Sequence, residues 1–230
     1  MLPGLLCDRA AWQYQLDALG DDADCTSIEW GEEDSLVEMA RTALRQAPGR
    51  FSLAGHSMGG RVALEVFRLA PQRVARVALF NTGYQARPQG AAGEEEERGR
   101  LTLLAVARSE GMRAMATQWL PPMIHPDRRT DAALVNTIID MFARKTPVTF
   151  AAQIRALLGR PDARAVLEQI RCPALLLTGR EDEWSPPARH AEMAAMIPGS
   201  QLVVIPECGH MSMLERPKAV TAALRLWLMA

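Results

Sequence analysis

The chain has 230 residues, 48% of them hydrophobic, and its 26 basic and 27 acidic residues leave a formal net charge of -1. This length and composition predict one domain with a substantial hydrophobic core. The balanced charge argues against nucleic acid or an anionic membrane as a partner and favours a small-molecule ligand.

Neither the chain start nor the cysteines suggest export or metal binding. The start, M-L-P-G-L-L-C-D-R-A, lacks the basic region of a secretory signal, and no apolar run reaches the roughly 18 residues of a membrane span. The four cysteines form no C-x-x-C pair and no zinc-ligand spacing: Cys7, Cys25, Cys172 and Cys208. We therefore expect buried, reduced thiols, no metal and a cytoplasmic location.

The first part of the chain alternates between strand and helix signals. Hydrophobic periodicity predicts, in order, a strand end at 1–7, a helix at 10–19, a short strand at 23–30, a helix after Ser35, a buried strand at 51–55, a helix at 58–70 and a strand at 74–80. Ser35 is the predicted N-cap of its helix, because Glu38 follows it in the capping-box pattern.

Strand signals vanish between residues 84 and 170, where proline-punctuated helical segments take over. We interpret this part as a helical cap inserted into an α/β core made of 1–83 and 171–230. In the second core segment the pattern predicts a strand at 174–178, a helix at 187–196, a strand at 201–205 and a closing helix at 217–228. The alternation predicts a mostly parallel, doubly wound sheet with helices on both faces.

The stretch L-A-G-H-S-M-G-G at 53–60 places one serine between glycines at the point where a strand meets a helix. A reversal this sharp strains the backbone of Ser57, and its neighbours Gly55 and Gly59 must be small because strand and helix approach closely there. The Ser57 hydroxyl would project from the carboxyl end of the sheet. The Met58 N–H, at the helix start, would point into the same space and suits a developing oxyanion.

An acid and a histidine follow in the order that such a serine requires. Asp182 comes directly after the strand at 174–178, and His210 follows the strand at 201–205. A buried acid fixes the tautomer of the imidazole, so the two should lie at neighbouring strand ends. Glu181 and Glu183 are rivals for the acid, and the remaining histidines are weaker candidates for the base: His56, His125 and His190.

A second oxyanion donor is expected from a loop after an early strand. The segment L-P-G-L-L at 2–6 suits this role, because Gly4 lets the backbone approach the serine and the Leu5 N–H can then donate.

Together these motifs resemble the α/β-hydrolase fold family over nearly the whole chain. The matching pieces are P-G-L-L at 3–6, G-H-S-M-G-G at 55–60, G-R-E-D at 179–182 and G-H at 209–210. The resemblance implies a serine hydrolase that cleaves a carboxylic ester, a thioester or a lactone through an acyl-enzyme, without metal or organic cofactor. Ser57 would be the nucleophile, His210 the base and Asp182 its orienting acid.

Two features depart from the family pattern. In the family the strand that feeds the oxyanion loop lies inside the sheet and follows two others, whereas here only Met1 and Leu2 occupy its place. We therefore expect a truncated or misassigned chain start, with a gap or a compensating rearrangement beside the nucleophile strand, because an absent interior strand orphans backbone groups. Pro3 also replaces the family's more common histidine.

Several activities within the family stay open. A serine at the elbow argues against dehalogenases and epoxide hydrolases, which resemble this fold but carry aspartate there. Carbon–carbon bond hydrolases acting on dienoates often have Trp after the catalytic histidine, where this chain has Met211. Enol-lactone hydrolases and cofactor-free perhydrolases share the same triad.

The predicted cap supplies apolar side chains for a substrate pocket: Met112, Met115, Trp119, Leu120, Met123, Ile124, Met141 and Phe142, with Met211 from the core. Its second half is basic: Arg128, Arg129, Arg144, Lys145, Arg155, Arg160 and Arg164. Esterases that act on acyl-carrier-protein esters dock an acidic carrier on a basic cap, but a solvated basic face is the simpler interpretation. A function of another class, a non-catalytic ligand-binding protein of this fold, is the remaining alternative.

Overall fold

The computed structural model describes residues 1–47 and 49–230 and contains the predicted alternation of strands and helices. In chain order the elements are α1 Gln13–Ala18, α2 Leu36–Gln46, β1 Phe51–His56, α3 Met58–Leu69, β2 Val74–Phe80, α4 Ala91–Ser109, α5 Met112–Trp119, α6 Ala132–Ala143, α7 Pro147–Leu158, α8 Arg164–Leu167, β3 Ala174–Gly179, α9 Pro187–Met196, β4 Gln201–Ile205, α10 Ser212–Glu215 and α11 Pro217–Met229. Within the described residues, 81–173 hold helices and no strand.

The sheet is parallel throughout, with the strand order β1-β2-β3-β4. The two central strands are almost continuous runs of buried apolar residues, as expected where helices cover both faces of a parallel sheet. Because every strand runs the same way, the loops after β1, β2, β3 and β4 all emerge at one edge of the sheet. Ligands of open α/β sheets bind at this carboxyl edge.

The helices of 1–80 and 174–230 form two groups. Helix α2 packs on α3, which lies against β1 and β2, and α9 lies against β3 and β4. Helices α1, α10 and α11 contact one another and form the second group. The predicted N-cap of α2 is confirmed, although the Ser35 hydroxyl accepts from the N–H of Val37, at 3.2 Å, rather than from that of Glu38.

The prediction of a strand at 23–30 is wrong. This segment is extended, and Ile28 and Trp30 are buried, but no ladder forms. Its backbone bonds to the neighbouring segment involve only Met1, whose N-terminal amine donates to the Thr26 carbonyl at 2.6 Å and whose carbonyl accepts from Ile28 N–H at 3.0 Å. One residue of partner backbone is too little to propagate a strand.

Leu2 pairs with the outer edge of β1. Its N–H donates to the Ala54 carbonyl at 2.8 Å, and its own carbonyl accepts from His56 N–H at 3.0 Å. Among the described residues, only this isolated bridge pairs with the outer edge of β1, so the first half of β1 lacks a strand neighbour there. The expected gap beside β1 is therefore present over its first half, and the bridge lies near the carboxyl end of this strand.

All four cysteines are free; Cys7 and Cys208 are buried, whereas Cys25 and Cys172 are half-buried. No helix within the described ranges is long and apolar enough to cross a membrane.

Two glycines allow the chain to pass from β1 into α3. A Cβ added at Gly55 would lie 2.3 Å from the Gly59 carbonyl oxygen, and one at Gly59 would lie 2.2 Å from the Leu2 carbonyl oxygen. Both contacts are with backbone, which cannot move aside as a flexible side chain can. The glycines are thus required by close approach, as the sequence pattern predicted.

Gly59→Ala is therefore expected to lower the free energy of unfolding by about 2 kcal/mol or more, because the methyl group must displace the Leu2 backbone. Gly99→Ala is the matched control: Gly99 also lies in a helix, but a Cβ there meets nothing within 4 Å. The control should raise stability by about 0.5–1 kcal/mol. Urea unfolding measures both, and equal stability of the two variants would contradict the close-approach argument.

Candidate active site

Ser57 stands at the apex of the turn between β1 and α3. Its backbone has φ 54° and ψ −115°, a conformation that an L-residue adopts only under tertiary constraint. The constraint includes two hydrogen bonds: Ser57 N–H donates to the Phe80 carbonyl at 2.9 Å, and the Thr82 hydroxyl donates to the Ser57 carbonyl at 2.7 Å. The side chain is half-buried and lines a cavity.

The three residues that the sequence singled out lie together. Ser57 Oγ is 3.0 Å from His210 Nε2, and His210 Nδ1 is 2.9 Å from Asp182 Oδ2 and 3.1 Å from Oδ1. His210 and Asp182 are buried, at 5% and 2% exposure. With the carboxylate accepting at Nδ1, the imidazole carries its proton there and leaves Nε2 free to accept the serine proton.

Asp182 is held as an anion. Burial by itself would raise the pKa of this carboxyl, but the charge and hydrogen bond of His210, and then bonds from Asn81 and Ser185, lower its pKa well below the usual range. Asn81 Nδ2 donates to Oδ2 at 2.9 Å, while Trp184 N–H and Ser185 N–H donate to Oδ1 at 3.0 and 2.9 Å. A carboxylate with this many donors has little tendency to take a proton.

The loop that carries His210 is fixed on both sides by Glu215. This buried carboxylate accepts from Gly209 N–H at 3.0 Å and from Met211 N–H at 3.1 Å, and its second oxygen accepts from His125 N–H at 2.8 Å. His125 belongs to the helical segment, so one carboxylate joins that segment to the histidine loop. Burial raises the pKa of Glu215, and its N–H donors oppose the rise.

His56 and the helical segment also hold His210 through its backbone. His56 Nε2 donates to the His210 carbonyl at 2.9 Å, and His210 N–H donates to the Met123 carbonyl at 2.6 Å. His56 therefore points into the fold, as expected for a residue that precedes the nucleophile.

The loop predicted to carry the second oxyanion donor lies against Ser57. A Cβ placed on Gly4 would be 3.3 Å from Ser57 Cβ, and both Leu5 and Met58 line the same cavity as Ser57. Neither the Leu5 N–H nor the Met58 N–H donates to another of the described residues, so both are free to bind an incoming oxygen.

Two buried side chains from distant segments fix this loop. Gln153 Oε1, in α7, accepts from Leu6 N–H at 2.8 Å, where Leu6 has the unusual φ of 60°, and Trp30 Nε1 donates to the Pro3 carbonyl at 2.9 Å. The backbone donors are thus placed by tertiary contacts and not by the loop sequence alone.

A cavity of about 890 Å³ opens over Ser57. Of the nine predicted pocket residues, four line it, namely Trp119, Met123, Phe142 and Met211. The prediction is wrong for the other five, which are buried and do not line the cavity: Met112, Met115, Leu120, Ile124 and Met141. Met141 is fully buried in α6. It neighbours Phe142 on the helix, and adjacent helical positions point about 100° apart.

Trp184 connects the candidate site with the helical segment. Its ring stacks on that of Trp119, with centroids 5.6 Å apart, and lies 5.1 Å from the His210 ring. The sequence pattern gave no role to this residue, although it follows Asp182 closely.

The other candidates have structural environments. Glu181 accepts from Cys208 N–H at 2.9 Å instead of contacting a histidine, and Glu183 is exposed. His125 caps a short 3-10 turn, and His190 is fully buried. No cluster of potential metal ligands occurs among residues 1–47 and 49–230.

Sequence reasoning missed Asn81, Glu215 and Gln153. Asn81 had a usable signal, because it follows a buried strand directly and so had to lie at the carboxyl edge beside the acid. Glu215 and Gln153 gave none, since each acts on backbone N–H groups from segments that only the tertiary fold brings near.

Glu215→Gln is expected to lower the free energy of unfolding by about 1–3 kcal/mol, because an amide nitrogen would replace one buried acceptor. Amide hydrogen exchange at Gly209 and Met211 should accelerate together with it. Glu207→Gln is the control: Glu207 is in the same loop but exposed, with an ion pair to Arg216 that should contribute little. If amide exchange at Gly209 and Met211 were unchanged in Glu215→Gln, Glu215 would not be the residue that positions the His210 loop.

Two buried histidines make stability sensitive to acid. Burial, and then the charge of His210, lowers the pKa of His56 to about 3, and burial lowers the pKa of His190 to about 4. His190 is neutral because its Nε2 accepts from Thr82 N–H at 3.2 Å. Below about pH 6.5 the unfolded chain binds protons that the folded chain does not, so stability falls as the pH falls toward 4.

Between about pH 7 and pH 5 each histidine is expected to cost about 2 kcal/mol of stability. His190→Gln removes one titrating group. The free energy of unfolding of this variant should therefore fall by about 2 kcal/mol less than that of the wild type over this interval, even if the variant is less stable at neutral pH. Urea unfolding at the two pH values checks this, and an identical decline in both proteins would exclude His190 as a source.

Comparison with known proteins places this geometry in a family. The model of the alpha/beta hydrolase family matches residues 1–224. A pimeloyl-[acyl-carrier protein] methyl ester esterase of Nitrosomonas europaea is 29% identical over 208 residues, which cover 90% of this chain and 80% of that protein. A 2-hydroxy-6-oxononadienedioate/2-hydroxy-6-oxononatrienedioate hydrolase of Cupriavidus pinatubonensis is 26% identical over 223 residues, covering 85% and 71%.

Solved structures of related fold superpose on nearly the whole chain. A thermophilic esterase from Thermogutta terrifontis, solved with malate bound, superposes with a TM-score of 0.84 at 30% identity and covers 99% of this chain and 88% of its own. The enol-lactonase from Burkholderia xenovorans shares the fold, with a TM-score of 0.82 at 24% identity over 100% and 90%. The chain therefore belongs to the alpha/beta hydrolase family and is a hydrolase.

Proposed function

We propose that the protein is a serine hydrolase that cleaves a small carboxylic ester through an acyl-enzyme intermediate. The observation that carries this proposal is the 3.0 Å contact between Ser57 Oγ and His210 Nε2, with Asp182 bound to the other ring nitrogen. A hydroxyl becomes a useful nucleophile at neutral pH only when a base takes its proton.

In the first half-reaction Ser57 Oγ attacks the ester carbonyl while its proton passes to His210 Nε2. The resulting imidazolium is stabilised by Asp182, which remains ionised. The Leu5 and Met58 N–H groups bind the oxyanion, and His210 returns the proton to the leaving alcohol. Removal of one oxyanion donor typically costs about 100-fold to 1000-fold in turnover.

In the second half-reaction water replaces the alcohol. His210 takes a proton from the water while the water oxygen attacks the acyl carbonyl. The same two N–H groups bind the tetrahedral intermediate, and His210 returns the proton to Ser57 Oγ as the bond between Ser57 and the acid breaks. The chemistry uses side chains and backbone only, so no cofactor enters the mechanism.

Residues 84–170 are assigned to a helical cap over a core of 1–83 and 171–230. Trp119, Met123 and Phe142 from the cap face the cavity together with Met211 from the core. Mixed apolar walls of this kind suit a short or medium acyl chain. Related proteins named as esterases support an ester over other acyl donors.

Carbon–carbon bond and enol-lactone hydrolysis are the second candidate. They are favoured by the related dienedioate hydrolase and by the enol-lactonase of the same fold. Met211, in the position where dienoate hydrolases often carry Trp, disfavours the carbon–carbon reaction.

An acyl-carrier protein is a weaker candidate partner, because most of the basic cap residues are neutralised. Five of the seven form ion pairs with carboxylates: Arg128, Arg144, Lys145, Arg155 and Arg160. Little unpaired positive charge therefore remains among these residues to attract an acidic carrier.

A non-catalytic ligand-binding role is disfavoured, because it would not require Ser57 Oγ to lie within hydrogen-bond distance of His210 Nε2.

A fluorophosphonate probe is expected to label Ser57, and Ser57→Ala should lose labelling and about 10⁴-fold or more of the rate of ester hydrolysis. Ser52→Ala is the matched control, because Ser52 is exposed on the same strand, and it should behave as the wild type. Peptide mass spectrometry locates the label, and p-nitrophenyl esters of increasing acyl length report activity. Hydrolysis that survives Ser57→Ala would refute the mechanism.

A further inference from the structure

One wall of the cavity over Ser57 is rich in arginine. Four arginines line the cavity against two glutamates: Arg61, Arg100, Arg160 and Arg189, with Glu95 and Glu96. Charged groups are costly at a partly buried wall unless they are paired, so the pairing of each arginine indicates what the cavity is built to receive.

Two of the four arginines are neutralised by one carboxylate. Glu96 accepts from Arg160 at 2.7 Å on both of its oxygens and from Arg100 Nη2 at 2.9 Å. These bonds lower the pKa of Glu96 to about 2 against the opposing effect of its burial. Glu95 is exposed at the rim, where water screens its charge.

Arg61 and Arg189 have no carboxylate partner among the described residues. Each is held by one backbone carbonyl: Arg61 Nη1 donates to Gln85 at 2.9 Å, and Arg189 Nη1 donates to Trp184 at 2.6 Å. The other N–H groups of both side chains therefore remain available, while the guanidinium planes are already oriented.

The side chains of Arg61 and Arg189 both lie close to Gly83. The position that a Cβ would take on this glycine is 3.1 Å from Arg61 Nη2 and 3.6 Å from Arg189 Nε, and 3.0 Å from Arg189 Cδ. The absence of a side chain at Gly83 thus leaves room for two cations side by side. Arg61 lies one helical turn after Ser57 in α3, so this pair belongs to the same cavity as the candidate nucleophile.

Without a bound ligand, the positive charge of Arg61 is only partly compensated. Burial, followed by the repulsion of Arg160 and Arg189, lowers the pKa of Arg61 to about 9. Arginine keeps its proton in proteins, so the lowered value means that a buried cation is held near other cations at an energetic cost, which Glu96 offsets only in part. A bound anion would remove that cost.

We propose that Arg61 and Arg189 form a carboxylate-binding subsite, so that the preferred substrate is an ester that carries a second, ionised carboxylate. The inference rests on the proposed function for the ester group and adds a determinant of substrate choice. Two adjacent guanidinium forks suit the planar, bidentate geometry of a carboxylate. The apolar wall of Trp119, Phe142 and Met211 would receive the hydrocarbon between the two groups.

Binding to Ser57→Ala tests the subsite without requiring turnover. Calorimetry with monomethyl esters of the straight-chain acids from succinic to suberic would be compared with the corresponding dimethyl esters, which lack the free carboxylate. Acetate esters of ω-hydroxy acids carry the carboxylate on the alcohol side and would be compared with their own methyl esters. In at least one series the ionised member should bind about tenfold to hundredfold more tightly.

Arg61→Gln and Arg189→Gln, each placed in the Ser57→Ala protein, should remove most of this preference, and Arg61→Lys should keep part of it. Arg113→Gln is the control, because Arg113 is an exposed cap arginine that pairs with Asp140 away from the cavity, and it should retain the full preference. Because Arg61 has no carboxylate partner and its bond to the Gln85 carbonyl is exposed, its replacement should lower the Tm little. Equal binding of ionised and neutral esters in both series, or a preference that survives both Gln variants, would overturn the subsite.

Turnover separates failure of the subsite from failure of the proposed function. Wild-type protein that hydrolyses neutral esters through a labelled Ser57 but shows no carboxylate preference would refute the subsite alone. Protein that binds the ionised esters through Arg61 yet fails to label at Ser57 would refute the serine mechanism and leave the subsite standing.

Discussion

The turn at Ser57 is the constraint on which the rest of the site depends. Strand β1 and helix α3 approach until the Gly55 and Gly59 backbones touch each other and Leu2, and this contact holds Ser57 in a conformation it would not adopt alone. The strain is offset by the buried sheet on one side and α3 on the other. A relaxed turn would move the Ser57 hydroxyl away from His210 Nε2.

Around this fixed point, the site is assembled from loops that other segments hold in place. Glu215 binds the backbone on both sides of His210 and also the helical segment at His125, while Gln153 binds the loop of Leu5 from α7. The loops of His210 and Leu5 are therefore both hydrogen-bonded, through Glu215 and Gln153, to the helical segment of 81–173.

The cavity has two kinds of wall, and they are suited to different parts of one substrate. Aromatic and methionine side chains stand near His210, where Trp184 stacks on Trp119, whereas guanidinium groups stand on the side of Arg61 and Gly83. A uniform apolar cavity would select by length alone. Under the proposal, two cations without a carboxylate partner near Ser57 add selection by charge, because a neutral analogue cannot make the ionic hydrogen bonds that a carboxylate makes.

The sequence by itself determined the alternation of elements, the bounds of β2, α9 and β4, and the identities of Ser57, Asp182 and His210, because glycine spacing, hydrophobic period and chain order are local signals. Only the tertiary structure decided which groups support them. The strand expected at 23–30 did not form because it has almost no partner backbone, and Met141 is buried one position away from Phe142 without lining the cavity. Asn81 donates to Asp182, and Glu215 accepts from the loop that carries His210. Such contacts join residues far apart in the chain, and no local pattern encodes which distant backbone a buried polar side chain will meet.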